Sequence, residues 1–266
     1  MRRGNLLIFF LKNLKTIAIA GKGGTGKSTI AAMMIYWLRE NISKSILAVD
    51  ADCNVNLNEL LGAELKTTIG AIREEMKAKV NDLPGGMTKQ QYLDYKIQSG
   101  LVETPYFDLI AMGCSEGPGC YCYANSLLRD ILTTLACNYE LMVIDNGAGM
   151  EHLSRRTTQN IDYLIMVSDP IVRGIKAAGK ISRLVKDLET RVNEKYLIVN
   201  RVRDTIHPSV MECIREEGLQ LIGTISEDNT ILANDPQGNA IWPVIKESCA
   251  FKELEKIMVK LNLKSS

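Results

Sequence analysis

A glycine-rich loop occupies residues 21–29 and reads Gly-Lys-Gly-Gly-Thr-Gly-Lys-Ser-Thr. Glycines at this spacing let consecutive backbone N–H groups turn inward, where they can surround a phosphate. An apolar run precedes the loop and a helical pattern follows it, so the positive end of a helix dipole would face the same phosphate. The pattern predicts a nucleotide site. Its predicted ligands are Gly21, Lys22, Gly23, Gly24, Thr25, Gly26, Lys27, Ser28 and Thr29.

Two residues of this loop have separate predicted roles. Lys27 is expected to contact the β- and γ-phosphates, and the hydroxyl of Ser28 is expected to bind magnesium. A tight glycine turn without a ligand is the alternative, but nine matching positions between a strand and a helix argue against it. The sequence therefore predicts ATP or ADP, together with Mg²⁺, as ligands.

Apolar runs alternate with helical patterns along the chain. This rhythm predicts a doubly wound, mostly parallel α/β sheet flanked by helices, with ligands at the carboxyl ends of the strands. The predicted strands are Thr16–Ala20, Ile46–Asp50, Phe107–Met112, Leu141–Asp145, Tyr163–Ser168, Lys195–Asn200 and Leu219–Ile225.

We expect one domain, covering residues 15–266, with an N-terminal extension at residues 1–14. The apolar run Leu6–Leu11 is too short to cross a bilayer. Cleavage of the extension as a secretory signal would remove the first predicted strand, which argues against that interpretation. Residues 63–105 are more polar and contain Pro84-Gly85-Gly86, which predicts a mostly helical insertion.

Composition indicates where in the cell the protein works and which classes of partner it binds. The net charge of the 266 residues is +1, which gives no general affinity for nucleic acid or anionic membranes. Seven cysteines without a recognisable secretion signal favour a reducing, cytoplasmic location. The apolar face of residues 250–263 has few basic neighbours, which favours packing on the sheet over lying on a membrane. We therefore expect neither nucleic acid nor a stable membrane association.

Lys22 follows the first glycine of the loop, which distinguishes it from an ordinary phosphate-binding loop. With this lysine, the chain resembles the deviant Walker A ATPases, the group of the MinD/ParA and nitrogenase iron-protein families. The resemblance implies a homodimer in which Lys22 reaches the partner's nucleotide and stabilises charge on the transferred phosphoryl group. A solvated surface lysine is the alternative.

The same resemblance assigns roles to two carboxylates. Asp52, in Val49-Asp50-Ala51-Asp52, would belong to switch I, hold magnesium and orient the attacking water. Asp145, after an apolar run, would be the switch II aspartate that holds magnesium through water. The resemblance also implies base contacts from Asn200, Arg201 and Glu227. Asn and Asp after a strand are also common turn residues, so simple turns remain the alternative.

A second dense motif places Cys120 and Cys122 after the turn Gly117-Pro118-Gly119. Two thiolates make half of a tetrahedral metal shell, and a two-fold dimer would supply the other half. Thiolates bind both nickel and zinc, and affinity order does not choose between them. A coincidental pair is the alternative; a disulfide is disfavoured because cysteines this close in sequence rarely meet its geometry.

The other candidates for metal binding have simpler interpretations. Cys114 is near enough to be an auxiliary ligand, but a buried thiol at a strand end is the expected role. Cys137, Cys213 and Cys249 lie on apolar helical faces and are expected in the core. A hydrogen-bonded structural role is expected for His152 rather than metal ligation.

The cysteine segment together with residues 145–156 resembles the CooC family of nickel-insertion ATPases for carbon monoxide dehydrogenase, including the AcsF branch that serves acetyl-CoA synthase. This resemblance implies nickel or zinc on Cys120 and Cys122 at an ATP-gated dimer interface. It also implies delivery to apo carbon monoxide dehydrogenase or acetyl-CoA synthase. Two residues depart from the family pattern: Cys53, where relatives often have proline, and Gly147, where they often have glutamate.

Three other functions remain open. A positioning ATPase of the MinD or ParA kind would need a basic tail or patch, which is not evident in the sequence. An electron-transfer protein like the nitrogenase iron protein would use widely separated cysteines. An iron–sulfur carrier would more often show Cys-x-x-Cys. The spacing of Cys120 and Cys122 therefore favours metal insertion.

Overall fold

The computed structural model describes residues 14–42, 44–78, 86–114, 131–133, 135–147, 160–187, 191–234, 239–261 and 263. Within these ranges a single eight-stranded sheet forms the centre of the molecule. The strands are β1 Lys15–Gly21, β2 Ile46–Ala51, β3 Val102–Glu103, β4 Asp108–Ala111, β5 Leu141–Asn146, β6 Asn160–Ser168, β7 Arg191–Val202 and β8 Leu221–Ser226.

Helices of the described ranges cover both faces of the sheet. Of the helices within the described ranges, none is long and apolar enough to cross a membrane. The helices are α1 Lys27–Asn41, α2 Leu57–Leu61, α3 Ile69–Ala78, α4 Lys89–Gly100, α5 Val172–Asp187, α6 Pro208–Glu216, α7 Asn229–Asn234 and α8 Cys249–Lys260, with 3₁₀ turns at Ala136–Asn138 and Ile245–Glu247.

The strand order is β3-β4-β2-β5-β1-β6-β7-β8. Every neighbouring pair is parallel except β3 with β4, so the predicted doubly wound, mostly parallel sheet is confirmed. β1 lies at the centre, between β5 and β6, and the chain leaves it toward β2. The carboxyl ends of β1, β2 and β5 therefore meet at one edge, where a ligand is expected in such sheets.

Alternate residues of each strand pack against opposite helical layers. On one face, Ile17 and Ile19 of β1 pack with α1 and α8. On the other, Ala18 and Ala20 join the apolar residues of α5 and α6. In a parallel sheet covered on both faces, the sequence of each strand is a nearly continuous apolar run. This explains why the strands could be recognised from sequence. The packed core therefore holds in place the carboxyl ends of β1, β2 and β5, where the polar residues of the expected ligand site lie.

The C-terminal helix α8 packs as its apolar spacing predicted. Ser248 caps it by accepting a hydrogen bond from the N–H of Phe251. Phe251, Leu254 and Met258 are buried against the layer that contains α1. The apolar face of α8 is therefore covered by the protein's own core.

The differences from the predicted elements are local. β7 begins at Arg191, four residues before the predicted start at Lys195. The prediction missed these residues because they are mostly polar and exposed, so they do not form an apolar run. The two-residue antiparallel strand β3 was not predicted, since two residues carry no periodic pattern. Within residues 63–105, helices α3 and α4 are described, and Thr88 and Gln91 form a capping box at the start of α4.

Candidate functional site

The glycine-rich loop connects β1 to α1 at the carboxyl edge of the sheet. Gly21 lies so close to β6 that a Cβ atom there would clash with the Val167 carbonyl oxygen. Gly26, the N-cap of α1, has a φ of 85°, and a Cβ atom there would lie 2.5 Å from the Asn200 amide nitrogen. Only glycine fits both positions without strain. Two of the predicted loop glycines are thus required by the packing around them.

The Lys27 side chain is buried inside the loop rather than extended into solvent. Its Nζ lies 3.3 Å from the carbonyl oxygen of Lys22, and the Thr25 hydroxyl donates to the same oxygen at 2.9 Å. An ammonium group held at this point suits the β- and γ-phosphates of a nucleotide. The structure therefore holds the Lys27 ammonium inside the glycine-rich loop.

Two carboxylates face each other across neighbouring strands. Asp50 on β2 and Asp145 on β5 are in register, and both are at least 99% buried. Burial, and after it the nearby charge of Asp50, raise the pKa of Asp145 to about 7. Burial also raises the pKa of Asp50, although hydrogen bonds from backbone N–H groups oppose the change. The sheet therefore holds two acids whose ionised forms are costly without a compensating cation.

Asp50 organises the loop that follows β2. Its Oδ1 accepts from the N–H of Asp52 at 3.0 Å, and its Oδ2 accepts from the N–H groups of Asn56 and Leu57, each at 2.9 Å. Within this loop, the β-branched Val55 has a φ of 37°, which is a strained conformation. The sequence did not predict this role, because a strand-end aspartate looks the same whether it binds a ligand or the backbone.

Asp145 and Ser28 provide the oxygens that Mg²⁺ prefers. Oδ1 of Asp145 is buried and has no hydrogen-bond partner among the described residues, and the nearby Ser28 hydroxyl acts to lower the pKa of this carboxylate. A cation beside them would satisfy the orphaned oxygen. In the described ranges no cluster of three or more His, Cys, Asp or Glu residues could hold a metal ion. Magnesium here would therefore draw its remaining ligands from phosphates and water, as is usual.

Asp52 lies beside a cavity of about 400 Å³ above the loop. Its Oδ1 accepts a hydrogen bond from the N–H of Asn54 at 3.0 Å. Four polar residues of this cavity were not predicted. Asn54, Asn56 and Glu59 follow the Asp52 motif closely enough to have been found by extending it, whereas Asn239 is brought in from a distant part of the chain. The cavity is lined by Gly23, Gly24, Gly26, Lys27, Ser28, Thr29, Asp52, Asn54, Asn56, Glu59, Leu60, Arg201 and Asn239.

The end of β7 holds the glycine-rich loop from the other side. The Asn200 amide donates to the carbonyl oxygen of Thr25 at 2.8 Å, and the Arg201 guanidinium donates to that of Gly24 at 2.7 Å. Arg201 has a φ of 56°, which is uncommon for a residue with a side chain. This bond uses one N–H of the Asn200 amide, so its oxygen and its second N–H remain to pair with a base.

A smaller cavity of about 50 Å³ adjoins the loop on this side and contains the predicted base-contact residues. Asn200, Arg201 and Glu227 line it together with the apolar Ile225 and Leu232. The Glu227 carboxylate forms a 2.7 Å ion pair with Arg203. Arg203 is mostly exposed, so this pair contributes little to stability. The structure thus brings the three predicted residues to one side of the loop.

The base-side loop is anchored to the start of α8. Asp228 accepts hydrogen bonds from the Ser248 hydroxyl at 2.7 Å and the Ala250 N–H at 3.0 Å. The Glu253 carboxylate accepts from the N–H of Ser226 at 2.6 Å. Burial tends to raise the pKa of Asp228, but these hydrogen bonds outweigh it and hold the pKa below its usual value. The sequence did not predict this anchor, since its members are about twenty residues apart.

The Lys22 side chain is exposed at the surface of the loop. Its backbone carbonyl accepts the hydrogen bonds of Thr25 and Lys27, whereas its ammonium group makes no ion pair or hydrogen bond with any residue that the structure describes. The backbone of Lys22 therefore belongs to the loop, and its charge is available to another molecule.

Cys120, Cys122 and His152 lie outside the described residues. Cys114 is exposed, which corrects the prediction of a buried thiol, and its Sγ lies 3.4 Å from the Cys53 carbonyl oxygen. The chain turns out of the sheet after β4, so the thiol faces the loop that follows β2. Cys249 is also exposed, contrary to prediction, because it lies in the first turn of α8 beside Asp228. Cys213 is buried in the core, as predicted.

Comparison with known proteins supports a nucleotide site. The sequence profile described as "CobQ/CobB/MinD/ParA nucleotide binding domain" matches residues 16–240. An ATP-binding protein of Methanocaldococcus jannaschii, MJ0685, is 42% identical over 247 residues, covering 92% of this chain and 97% of the relative. The carbon monoxide dehydrogenase accessory protein CooC of Rhodospirillum rubrum is 28% identical over 246 residues, covering 84% and 87%.

Solved structures agree on the fold. The septum site-determining protein MinD of Pyrococcus horikoshii, solved with Mg-ADP, has a TM-score of 0.68 at 19% identity and covers 94% of this chain and 96% of its own. A ParA family ATPase from Chlorobium tepidum has a TM-score of 0.69 at 21% identity, with coverages of 94% and 99%. The glycine-rich loop, the two buried acids and the profile match lead to one conclusion: the chain belongs to the CobQ/CobB/MinD/ParA family of P-loop nucleotide-binding ATPases.

Proposed function

We propose that this protein is an ATP-hydrolysing metal-insertion factor that works as a homodimer. Its cargo is nickel or zinc, held by Cys120 and Cys122 of both subunits, and its client is apo carbon monoxide dehydrogenase or acetyl-CoA synthase. The observation that carries the proposal is the Cys-x-Cys motif in a chain that resembles the accessory protein CooC over 84% of its length. Two thiolates from each subunit would complete a tetrahedral shell.

The nucleotide chemistry follows from the site. The backbone N–H groups of the loop and the Lys27 ammonium would bind the phosphates, and Asp52 would orient the attacking water. Ser28 and Asp145 would hold Mg²⁺, which supplies positive charge to the phosphate oxygens when bound. Lys22, whose ammonium is exposed, would reach the nucleotide of the partner subunit and stabilise charge that develops during phosphoryl transfer.

A physical link between the nucleotide and the cargo supports the proposal. The N–H of Met112, just after β4, donates to the carbonyl oxygen of Asp50 at 2.8 Å. Two residues later, the Cys114 thiol contacts the Cys53 carbonyl oxygen. The chain that leads to Cys120 is therefore bonded to the loop that carries Asp52. If nucleotide binding rearranges that loop, it would also move Met112 and Cys114, which precede the proposed metal-binding cysteines. This gives a route that couples nucleotide binding to metal binding.

Metal titration tests the proposal. The wild-type protein with MgATP is titrated with Ni²⁺ or Zn²⁺ under reducing conditions, and the bound metal is compared with the dimer fraction by size-exclusion chromatography. We expect one ion for every two chains, and loss of this binding in the variant Cys120→Ser/Cys122→Ser. Cys249→Ser is the matched control, because Cys249 is exposed but lies in another part of the molecule.

Two results would contradict the proposal. Full metal binding by the double variant would remove Cys120 and Cys122 from the site. Equal metal affinity with ATP, with ADP and without nucleotide would separate the metal from the ATPase cycle. Activation of purified apo carbon monoxide dehydrogenase by the loaded wild type, but not by the double variant, is the expected functional result.

A positioning ATPase is a second candidate, because the structure contains a basic surface that the sequence did not reveal. Arg173, Lys176, Lys180 and Arg183 are exposed and lie at helical spacing along one face of α5. Arg183 pairs with Glu217, which leaves three cations without an ion pair among the described residues. ATP-dependent co-sedimentation with DNA or anionic liposomes, lost in Lys176→Glu/Lys180→Glu, would favour this function over metal insertion.

A further inference from the structure

Gly147 lies directly against the carboxylate of Asp52. A Cβ atom on Gly147 would lie 3.1 Å from Cγ of Asp52, and 3.2 and 3.3 Å from its two carboxylate oxygens. All three atoms of the carboxylate therefore lie at similar distances from this position, so the group faces the space that a side chain on Gly147 would occupy. This contact joins the residue that follows β5 to the loop that follows β2, beside the phosphate cavity.

We propose that Gly147 is a positioning residue for ATP hydrolysis: its bare Cα is the surface that sets where the Asp52 carboxylate lies. The inference rests on the role of Asp52 in the proposed function. Gly147 touches neither nucleotide nor water in this role and acts only through Asp52.

Position 147 favours glycine because a side chain there would lack space, and not because of the backbone conformation. Gly147 does not adopt the left-handed conformation, so its backbone accommodates alanine without strain. A Cβ atom at 3.1 Å is closer than ordinary carbon contacts of about 3.5 Å, so one group must move by a few tenths of an ångström. The Asp52 side chain is the group that can move, because β5 is bonded to strands on both sides.

The rest of the Asp52 surroundings leave little freedom for a harmless adjustment. The N–H of Asp52 donates to Oδ1 of Asp50 at 3.0 Å, and its own Oδ1 accepts from the N–H of Asn54 at 3.0 Å. A displaced carboxylate would either weaken the second bond or point differently into the cavity. Catalytic groups lose activity steeply with small displacements, whereas phosphate binding by the loop does not depend on Asp52.

A double-mutant cycle tests the inference with the full-length protein and MgATP. We expect Gly147→Ala to lower kcat about fivefold to tenfold, with KM and the ATP dissociation constant within about twofold of wild type. In the background of Asp52→Ala the same substitution is expected to have no further effect on kcat. The matched control is Gly100→Ala, whose new Cβ would meet Thr67 and Ile72 at 3.1 and 3.2 Å, an equally tight contact away from the cavity.

The outcomes separate this inference from the proposed function. A normal kcat in Gly147→Ala, when Asp52→Ala is impaired, overturns the positioning role and leaves the proposed role of Asp52 intact. An equal loss of kcat in both backgrounds also overturns it, since Gly147 would then act independently of Asp52. A normal kcat in Asp52→Ala removes Asp52 from the mechanism, and the inference about Gly147 fails with it.

Discussion

The side-chain amide of Asn200 donates a 2.8 Å hydrogen bond to the carbonyl oxygen of Thr25. The residue predicted to contact the base is therefore bonded to the loop predicted to bind the phosphates. Both ends of a bound nucleotide would meet one rigid unit, because Gly26 leaves no space between this amide and the loop.

Replacement of Asn200 by alanine is expected to weaken the binding of ATP and ADP about tenfold. The substitution removes the acceptor offered to the base and leaves the buried Thr25 carbonyl without this donor, at a cost of about 1–3 kcal/mol. Isothermal titration calorimetry provides the measurement. Asn193→Ala is the control, since that amide donates to Asp162 at an exposed site. Equal nucleotide affinities of Asn200→Ala and Asn193→Ala would contradict this role of Asn200.

Lys22→Ala is expected to lower ATP turnover about a hundredfold or more while nucleotide affinity is retained. The exposed ammonium has its proposed role in the transition state of the partner's reaction, where such cations contribute large factors. Lys27→Ala should instead abolish nucleotide binding, because its ammonium lies inside the loop. Steady-state turnover and a fluorescent-nucleotide binding assay distinguish the two. Unchanged turnover in Lys22→Ala would exclude the trans role.

Asp145 should make the stability of the magnesium-free protein depend on pH. Its pKa is about 7 in the folded chain against a usual 3.8, so between these values the folded state binds the extra proton. The free energy of unfolding contributed by this group therefore falls as pH rises from about 4 to about 7 and stays low above that range. Asp145→Asn is expected to be more stable than wild type at pH 8, with a smaller difference at pH 4.5.

Urea unfolding in the presence of a chelator, at both pH values, measures this difference. Adding Mg²⁺ with ADP should stabilise the wild type more than Asp145→Asn, because in the wild type the cation also replaces the proton that the carboxylate otherwise needs. A gap between variant and wild type that is the same at both pH values would show that the charge of Asp145 is not the cause.

Asp228 should stabilise the anchor of α8 in the opposite pH direction. Its pKa is lowered in the folded chain, so its contribution is fully present above pH 3.8 and is lost as pH falls through its folded pKa. Asp228→Ala is expected to reduce the free energy of unfolding at pH 7 by about 2 kcal/mol, since the Ser248 hydroxyl and the Ala250 N–H lose their acceptor. Glu64→Ala, at an exposed position, is the control in thermal unfolding. Similar midpoints for both variants would contradict the anchor.

The fold was predictable because its signals are local. Each buried parallel strand is a short apolar run, and each helix shows its own spacing, so alternation alone indicated a doubly wound sheet. The errors fall where local signals are weak. β3 has two residues, and the exposed start of β7 is polar. Cys114 was expected to be buried, but whether a strand-end thiol points inward depends on the turn that follows it.

The site divides in the same way. The glycine-rich loop and its lysine could be predicted from sequence, because phosphate-binding loops have a fixed spacing of glycines and lysine. The roles of Asp50, Asp228 and Gly147 could not, since each depends on an acceptor or a contact that no local pattern encodes. Asp50 stands two residues before Asp52 in the same motif, yet only its hydrogen bonds to the following loop show what it does.

The sequence by itself determined the sheet class, the phosphate-binding loop and the presence of a cysteine pair, because these depend on residue types at short spacing. The tertiary structure decided how distant segments meet. It bonded Asn200 to Thr25 across 175 positions, set Asp145 opposite Asp50, and laid the Asp52 carboxylate on Gly147. Strand order and register place these groups within hydrogen-bond range, and neither can be read from one segment alone.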